Sequence, residues 1–346
     1  MPAATQTELD AILHHAAIAP IDRAFLRITG SDATRWLNGM VTNSIQALAP
    51  GEGNYNLLLN AQGRILGDCT VYREPDGDSP AFVLATSTQQ IDAIQKHLDH
   101  FIIMDDVELT LMEHYSHTVL LIGREAPQVL RRMENPSPGC SSFADSAPLR
   151  LHYYPQTASQ LTTPADGPIP CFEISPSFPV DDLLEEAKAA GAIEVSAEAL
   201  EAFRILEARP LYGQDITDKY LPQEINQPQA LHFAKGCYLG QEIVERIRSR
   251  GQVHRLLMPL TLTGSLPAEL PAPLHSPSEG QARSVGEITS AALVPLPEGP
   301  QLLALGYVRR EALEGPQATH QLLTYNGGTA VPRPQPQVES TLAASN

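Results

Sequence analysis

Basic residues are scarce in this chain. Its 346 residues hold 23 lysines and arginines against 40 aspartates and glutamates, a formal charge of −17. Nucleic-acid binding needs a basic face that neutralises phosphates, so this balance argues against that class of partner. Any anionic ligand must be met by a local basic site working against an unfavourable overall field. Cysteine is rare as well. Cys69, Cys140, Cys171 and Cys237 are far apart and form no CxxC pair, so spacing gives neither a zinc site nor a dithiol redox motif. The eleven histidines show no ligand spacing with cysteine or carboxylate, and no metal site is expected. No run approaches the ~18 apolar residues of a membrane span, and Met1 to Asp10 lacks a basic region followed by an apolar one. The expectation is a soluble, cytoplasmic protein with reduced cysteines and no membrane partner. GxGxxG, GxxxxGKS/T, HExxH and GxSxG are absent, which removes support for dinucleotide, P-loop, zinc-protease and serine-hydrolase chemistry.

What is present is enough apolar material for a large core: 42% hydrophobic residues against 18% charged. A chain of this length exceeds what one core supports, so two or three structural units are expected. Thr7 to Ala17 reads as a short amphipathic helix, with Thr7 and Asp10 offering a capping box. Ala24 to Ile28 reads as a strand, and Gly30-Ser31-Asp32 as a turn into a helix holding Trp36 and Leu37. Asn54 to Asn60 and Ile65 to Tyr72 are strands joined by Ala61-Gln62-Gly63-Arg64, a hairpin turn with Gly63 at positive φ. A strand at Phe82 to Thr86, a helix from Gln89 to Phe101, and strands near Val107 to Met112 and Thr118 to Ile122 follow. Asn135 to Pro148 and Pro155 to Pro170 are connectors. Helices near Val180 to Ala190 and Ala197 to Ala208 precede a proline-rich, strand-like region after Leu256. The pattern is α+β. It divides into an N-terminal α+β part (1–150), a second α+β part (151–250), a small β domain (251–330), and a tail (331–346) too polar and proline-rich to be well ordered.

The least ordinary segment is Lys235-Gly236-Cys237-Tyr238-Leu239-Gly240-Gln241-Glu242. Cys237 follows a lysine and precedes a helix expected over Gln241 to Arg248. Both would favour a thiolate, the lysine by charge and the helix through its unpaired N–H groups. The competing reading is a small buried cysteine between glycines that let backbones approach closely. The basic run Arg246, Arg248, Arg250, His254 and Arg255 follows at once. It is read either as the mouth of an anion site, with Lys235, or as a solvated face paired with Glu242 and Glu245.

This octapeptide resembles the signature of the YgfZ/GcvT family, folate-binding proteins of iron–sulfur cluster assembly or repair that share their fold with the aminomethyltransferase of glycine cleavage. Other stretches agree in order: Gly30-Ser31-Asp32-Ala33, Leu37-Asn38, Thr42-Asn43, Gly51 and Tyr55, the hairpin Asn60 to Asp68, and Arg204, Pro210 and Gly213. Pro222-Gln223-Glu224, Asn226, Gly286 to Ser290, and Leu305 to Val308 follow. The resemblance covers about Ala24 to Arg310. It implies an aminomethyltransferase-like fold, a ring of α/β subdomains with a C-terminal β-barrel, holding tetrahydrofolate or a one-carbon derivative in a central channel. Clients would be iron–sulfur proteins or cluster carriers, and Cys237 would be the working thiol. Lys235, Gly236, Tyr238, Gly240, Gln241 and Glu242 are carried over with the signature as site residues. Arg204 matches the family's arginine near the pterin, against an intrahelical pair with Glu201 or Glu207. Glu173 looks like the pterin-binding glutamate, whose carboxylate accepts two hydrogen bonds as a fork, against an outward-facing strand residue.

Two positions depart from the transferases. Their hairpin ends in paired aspartates, the first set beside the reactive nitrogen of folate; here Gly67 stands in that place and only Asp68 remains. The signature position of Cys237 is an aspartate in them. Both departures argue against aminomethyl transfer, which needs a positioned acid or charge stabiliser. A folate-dependent aminomethyl- or methyltransferase is the rival function, and a non-catalytic folate-fold scaffold a third.

Overall fold

The computed structural model describes residues 4–74, 80–112, 118–134, 149–153, 169–175, 180–276, 283–313 and 322–334. In chain order the first elements are α1 (Gln6–His14), β1 (Ala17–Ile21), β2 (Ala24–Thr29), α2 (Ala33–Met40), β3 (Gly53–Leu59), β4 (Ile65–Arg73), β5 (Phe82–Thr86), α3 (Thr88–Asp99), β6 (Glu108–Leu111) and β7 (Thr118–Ile122). Then come α4 (Ala126–Glu134), β8 (Leu149–Tyr153), β9 (Cys171–Ser175), α5 (Val180–Ala189), β10 (Ile193–Glu194), α6 (Ala197–Leu206) and α7 (Gln241–Arg250). The last are β11 (Arg255–Gly264), β12 (Ala272–His275), β13 (Ser284–Leu296), β14 (Gly299–Arg309), β15 (Leu323–Tyr325) and β16 (Gly328–Pro332).

The strands form two five-stranded sheets, ordered β10-β1-β7-β9-β8 and β3-β4-β5-β2-β6, and a closed barrel ordered β11-β14-β13-β12-β15-β16. The β1–β10 ladder is parallel and the others are antiparallel, the α+β arrangement expected from the hairpin-rich sequence. The first sheet draws β1 and β7 from before residue 149 and β9 and β10 from well after it, so the link Asp22-Arg23 between β1 and β2 carries the chain from one sheet to the other.

The units share cores. Leu9, Ile12 and Leu13 of α1 and Phe203 and Leu206 of α6 pack with Val294, Leu296 and Leu303 of the barrel. Leu57 and Leu59 of β3 meet Leu257, Leu305 and Tyr307 of the barrel around Val244 of α7. Burying such side chains contributes ~1.5–3 kcal/mol each relative to exposure, which favours the joined arrangement.

Three local expectations are corrected. The capping box of α1 is Thr5 with Glu8 rather than Thr7 with Asp10: Thr5 Oγ1 accepts from Glu8 N at 3.2 Å, and Glu8 Oε2 accepts from Thr5 N at 2.9 Å. Glu8 Oε1 also accepts from Ser196 N at 2.8 Å. Burial pushes this carboxyl up, but the bonds from Ser196 and Thr5 outweigh it and hold it at about 2. The helix therefore ends at His14, and Ala17 opens β1, whose backbone groups bond to β7 and β10. At the other end Val331 and Pro332, assigned to a disordered tail, belong to β16 and pair with Thr261 and Leu260 of the barrel. The connector expected over 135–148 lies outside the described residues, as does most of the second.

The two motifs singled out in the sequence meet in space. Gly240 caps α7 at φ +82°, and a Cβ there would lie 2.6 Å from the Asn60 carbonyl oxygen and 3.2 Å from Gly63 Cα. Gly63, at φ +71°, sits against Ile243 of α7, where a Cβ would come within 2.8 Å of the Ile243 Cβ. Only glycine tolerates both the backbone conformation and the contact. Gly240→Ala is expected to lower unfolding free energy by roughly 2–4 kcal/mol in denaturant titration, combining left-handed strain with a backbone clash.

Candidate functional site

The signature segment is a loop held from both sides. Asn38 Nδ2 donates to Lys235 O at 3.4 Å, Leu239 N to Gly39 O at 3.0 Å, and Gln241 Oε1 accepts from Tyr238 N at 3.3 Å. Gly236 supplies a left-handed φ of +97°. Asn38 and Thr42, 6% and 0% exposed, are the polar residues of an otherwise apolar stretch. Thr42 Oγ1 donates to Ala230 O at 2.7 Å and accepts from Leu57 N at 2.8 Å, while Asn43 Nδ2 donates to Gln229 O at 2.8 Å. These bonds satisfy buried backbone groups and fasten the approach to the signature onto the first unit.

Lys235 does not serve Cys237. Its Nζ donates to Val41 O at 2.6 Å and to Asn43 O, and lies over the Tyr238 ring at 5.3 Å. Burial pulls its ammonium down to about 7, because the carbonyl partners carry no compensating charge. The expected charge assistance to the thiol is thus corrected: the lysine is a staple between the loop and the α2–β3 connection. Cys237 itself is exposed, so the buried-cysteine reading is also corrected. Cys69 and Cys171 are buried, and burial raises both thiols, Cys171 to about 12. Cys140 lies outside the described residues. Tyr238 is 7% exposed, with a hydroxyl that has no partner among the described residues and is raised to about 12 by burial and then by Glu245. Glu242 is exposed in the first turn of α7, where its charge complements the helix terminus.

A second set of polar groups gathers between the two sheets. Asp68, on β4, accepts from Tyr55 Oη at 2.8 Å and from Gln90 Nε2 at 2.9 Å. Tyr212 Oη donates to Leu66 O at 2.7 Å, and its phenol is raised first by burial and then by the charges of Asp218 and Asp68. Glu173, on β9, is 6% exposed, so the outward-facing alternative is overturned. Its Oε1 accepts from Arg23 Nε at 2.9 Å and Nη2 at 2.7 Å, and its Oε2 is buried with no partner among the described residues. Burial works to lower the Arg23 guanidinium, but Glu173 overcomes it and raises it further above its ordinary range, with Tyr72 and Asp68 adding smaller contributions. Arg23 was not marked in the sequence; its one local signal is a charge directly between two apolar strands.

Arg204 stands elsewhere. Its Nε and Nη2 donate to Glu201 at 2.5 and 2.6 Å, Nη2 also to Ser290 Oγ at 2.8 Å, and Nη1 to Asp215 Oδ2 at 2.7 Å and Arg209 O at 3.1 Å. Every N–H of a guanidinium is thereby used. In this structure the expected intrahelical pair with Glu201 is formed, and Arg204 also joins α6 to the barrel through Ser290. The basic run also separates. Arg248 lies over the Phe233 ring at 4.3 Å beside Glu245, whereas Arg255 pairs with Glu224 at 3.1 Å and covers the Tyr220 ring at 4.6 Å. Arg246 is exposed, and the Arg250 side chain lies outside the described residues.

A family model described as the GCVT N-terminal domain matches residues 1–235. The chain belongs to that family. A mitochondrial iron–sulfur cluster assembly factor IBA57 homolog from Aspergillus fumigatus is 27% identical over 285 residues, 75% of this chain and 61% of that relative. An aminomethyltransferase from Synechocystis is 26% identical over 290 residues, covering 82% of this chain and 74% of the relative. The crystal structure of the glycine cleavage system aminomethyltransferase T from Bartonella henselae matches with a TM-score of 0.73 at 20% identity, over 96% of this chain and 90% of that one. The fold is therefore that of an aminomethyltransferase, and the chain spans about three fifths of the length of the IBA57 relative (61%).

Within this GCVT-family fold, Gly67 and Asp68 face opposite sides of β4. A Cβ there would lie 3.0 Å from Ile94 Cδ1 and 3.1 Å from Gln90 Oε1, on the side of β4 that packs under α3 with Cys69 and Val71. Asp68 points to the other side, toward Tyr55, and that side keeps its carboxylate.

Two outcomes follow from these geometries. Arg204→Ala strands the fully buried Asp215 carboxylate and is expected to cost ~3–5 kcal/mol of unfolding free energy, measured in urea. For Lys235 the unfolded chain binds more protons than the folded one between about 7 and its ordinary 10.5, so the residue's contribution rises with pH across that window. Relative to Lys235→Met, wild-type stability should climb from pH 7 to pH 9, at no more than ~1.4 kcal/mol per unit; a flat difference contradicts the assignment.

Proposed function

We propose that this chain binds tetrahydrofolate, or a one-carbon derivative, between its two sheets and serves iron–sulfur cluster assembly or repair through Cys237, in the manner of the YgfZ branch of its family. The observation that carries the proposal is the contrast among the described thiols: two are buried and inert, and Cys237 is exposed on a loop stapled at both ends. A fixed, accessible thiol suits ligation or exchange with a partner's cluster. One thiolate does not complete a cluster's ligand set, so the partner, an iron–sulfur protein or cluster carrier, supplies the others. The relatives named as IBA57 cluster-assembly factors support the same direction.

For the folate, the residues present suit its aminopyrimidinone edge. Glu173 Oε2 is a buried acceptor without a donor among the described residues, and such orphans cost ~1–3 kcal/mol until one arrives. Asp68, held by Tyr55 and Gln90, is the second carboxylate facing this space. The group would bring a one-carbon unit; the chain's own part is to orient it and keep water out. A cytoplasmic location belongs to the same proposal, in keeping with the three free thiols among the described residues.

A folate-dependent aminomethyltransferase is retained as a second reading on one observation: β4 still presents the Asp68 carboxylate, held by Tyr55 and by Gln90 of α3. Cys237→Ser separates the two. Under the cluster reading it lowers the activity of iron–sulfur enzymes in cells severalfold while tetrahydrofolate affinity measured by calorimetry stays unchanged. Full cluster-enzyme activity in that variant, or turnover of an aminomethyl donor by the wild-type chain, sinks the first reading in favour of the second.

A further inference from the structure

Both oxygens of Glu173 are covered in this structure, including Oε2, which has no partner among the described residues. Arg23 takes Oε1 twice, through Nε at 2.9 Å and Nη2 at 2.7 Å, and Oε2 is closed off from solvent. The usual guanidinium–carboxylate pair is a fork that uses both oxygens. Here both donors converge on one, so the pair is incomplete and half of the carboxylate is left desolvated.

The two partners differ in freedom. The Glu173 side chain is 7% exposed and sits in the middle of β9, bonded on both sides to β7 and β8. The Arg23 side chain is 33% exposed and springs from the short link between β1 and β2. That link is pinned by its other residue: Asp22 accepts from Thr88 Oγ1 at 2.6 Å and Thr88 N at 3.3 Å at the start of α3. The arginine's backbone is therefore held at Asp22, and its side chain keeps a third of its surface in water where that of Glu173 is enclosed, so of the two partners Arg23 is the one with room to turn away. Asp68 and Tyr72 on β4 act on Arg23, and the Cys171 thiol lies within reach of both members of the pair and of Arg209. When Arg23 leaves, Arg209 remains as a cation of this region.

We propose that Arg23 is an internal occupant of the Glu173 subsite, exchanged for any ligand edge that presents guanidine-like N–H donors around one carbon. The inference rests on the folate reading for the identity of that ligand, because an aminopyrimidinone carries the same N–C(NH2)–N arrangement as a guanidinium in neutral form. It adds a consequence that reading does not contain: the resident arginine weakens ligand binding. The apparent affinity is the intrinsic affinity multiplied by the fraction of molecules in which Arg23 has left.

Calorimetric titration of tetrahydrofolate into the wild-type chain, Arg23→Ala, Arg23→Gln and Arg23→Ala/Glu173→Gln tests this. Both single variants are expected to bind at least about tenfold more tightly than wild type, and the double variant to lose that gain. Affinity in the single variants equal to or weaker than wild type overturns the proposal. A ligand-free arm uses methylguanidinium at millimolar concentration: it should raise the thermal unfolding midpoint of Arg23→Ala by filling the vacated subsite, and leave the double variant unmoved. Absence of that shift overturns the exchange. If no form binds tetrahydrofolate while methylguanidinium still protects Arg23→Ala, the folate reading falls and the exchange stands.

Discussion

The fold turns on one buried carboxylate. Asp215 is wholly removed from solvent, and it accepts from Arg204, from the Leu211 backbone, and from the hydroxyls of Thr289 and Ser290, while its own carbonyl accepts from Tyr307. A charge taken out of water at this depth is tolerated only when its partners are in place. Those partners come from α6, from the loop after it, and from β13 and β14 of the barrel. The barrel, the second unit and the approach to the signature loop are therefore set in register by a single side chain. The shared hydrophobic clusters supply attraction without direction; Asp215 supplies direction.

From that joint the site can be followed outward. The loop after Asp215 carries Tyr220, stacked on Tyr307 at 3.9 Å, and Glu224, which receives Arg255. It continues through Gln227 and Ala230 to the bonds with Asn43 and Thr42, and then to Lys235. By the time the chain reaches Cys237 its backbone has been fastened to the barrel and to the first unit. The exposed thiol thus sits on a backbone held from both units. The inner carboxylates Asp68 and Glu173 are positioned by different means, each on a central strand of its own sheet. The two carboxylates and the thiol are thus separately anchored, and this allows one to be altered without the other.

Much of the local structure was legible from periodicity and punctuation. Phe82–Thr86 is an apolar run between turn signals and is a strand in full; Gly63 in its hairpin and Ser196 ahead of α6 occupy the roles their residue types predict. The strand β1 was hidden because Ala17 to Ile21 is too short and too uniformly apolar to show a period, and it adjoins a helix. Site roles were harder, for a physical reason. Glu201, three residues before Arg204, is visible on a helical wheel, whereas Asp215 and Ser290 reach the same guanidinium from 11 and 86 residues away. In the same way Lys235, two residues from Cys237 in sequence, spends its charge on carbonyls 192 and 194 residues distant. Sequence proximity suggested an interaction that tertiary hydrogen bonding redirected. The opposite faces of β4 that Gly67 and Asp68 take lie beside a bulge opposite Leu58 and Leu59, which no residue pattern announces.

The central claim is that the space between the sheets, with Glu173 and Asp68 on its walls, receives the folate while Cys237 works apart from it. A crystal structure of the chain grown with tetrahydrofolate tests this most directly. The account predicts the aminopyrimidinone edge hydrogen-bonded to Glu173, with Arg23 turned away and Cys237 outside contact with the ligand. Folate seated against Cys237, or a saturated crystal in which Arg23 still covers Glu173 and no folate lies between the sheets, would contradict it.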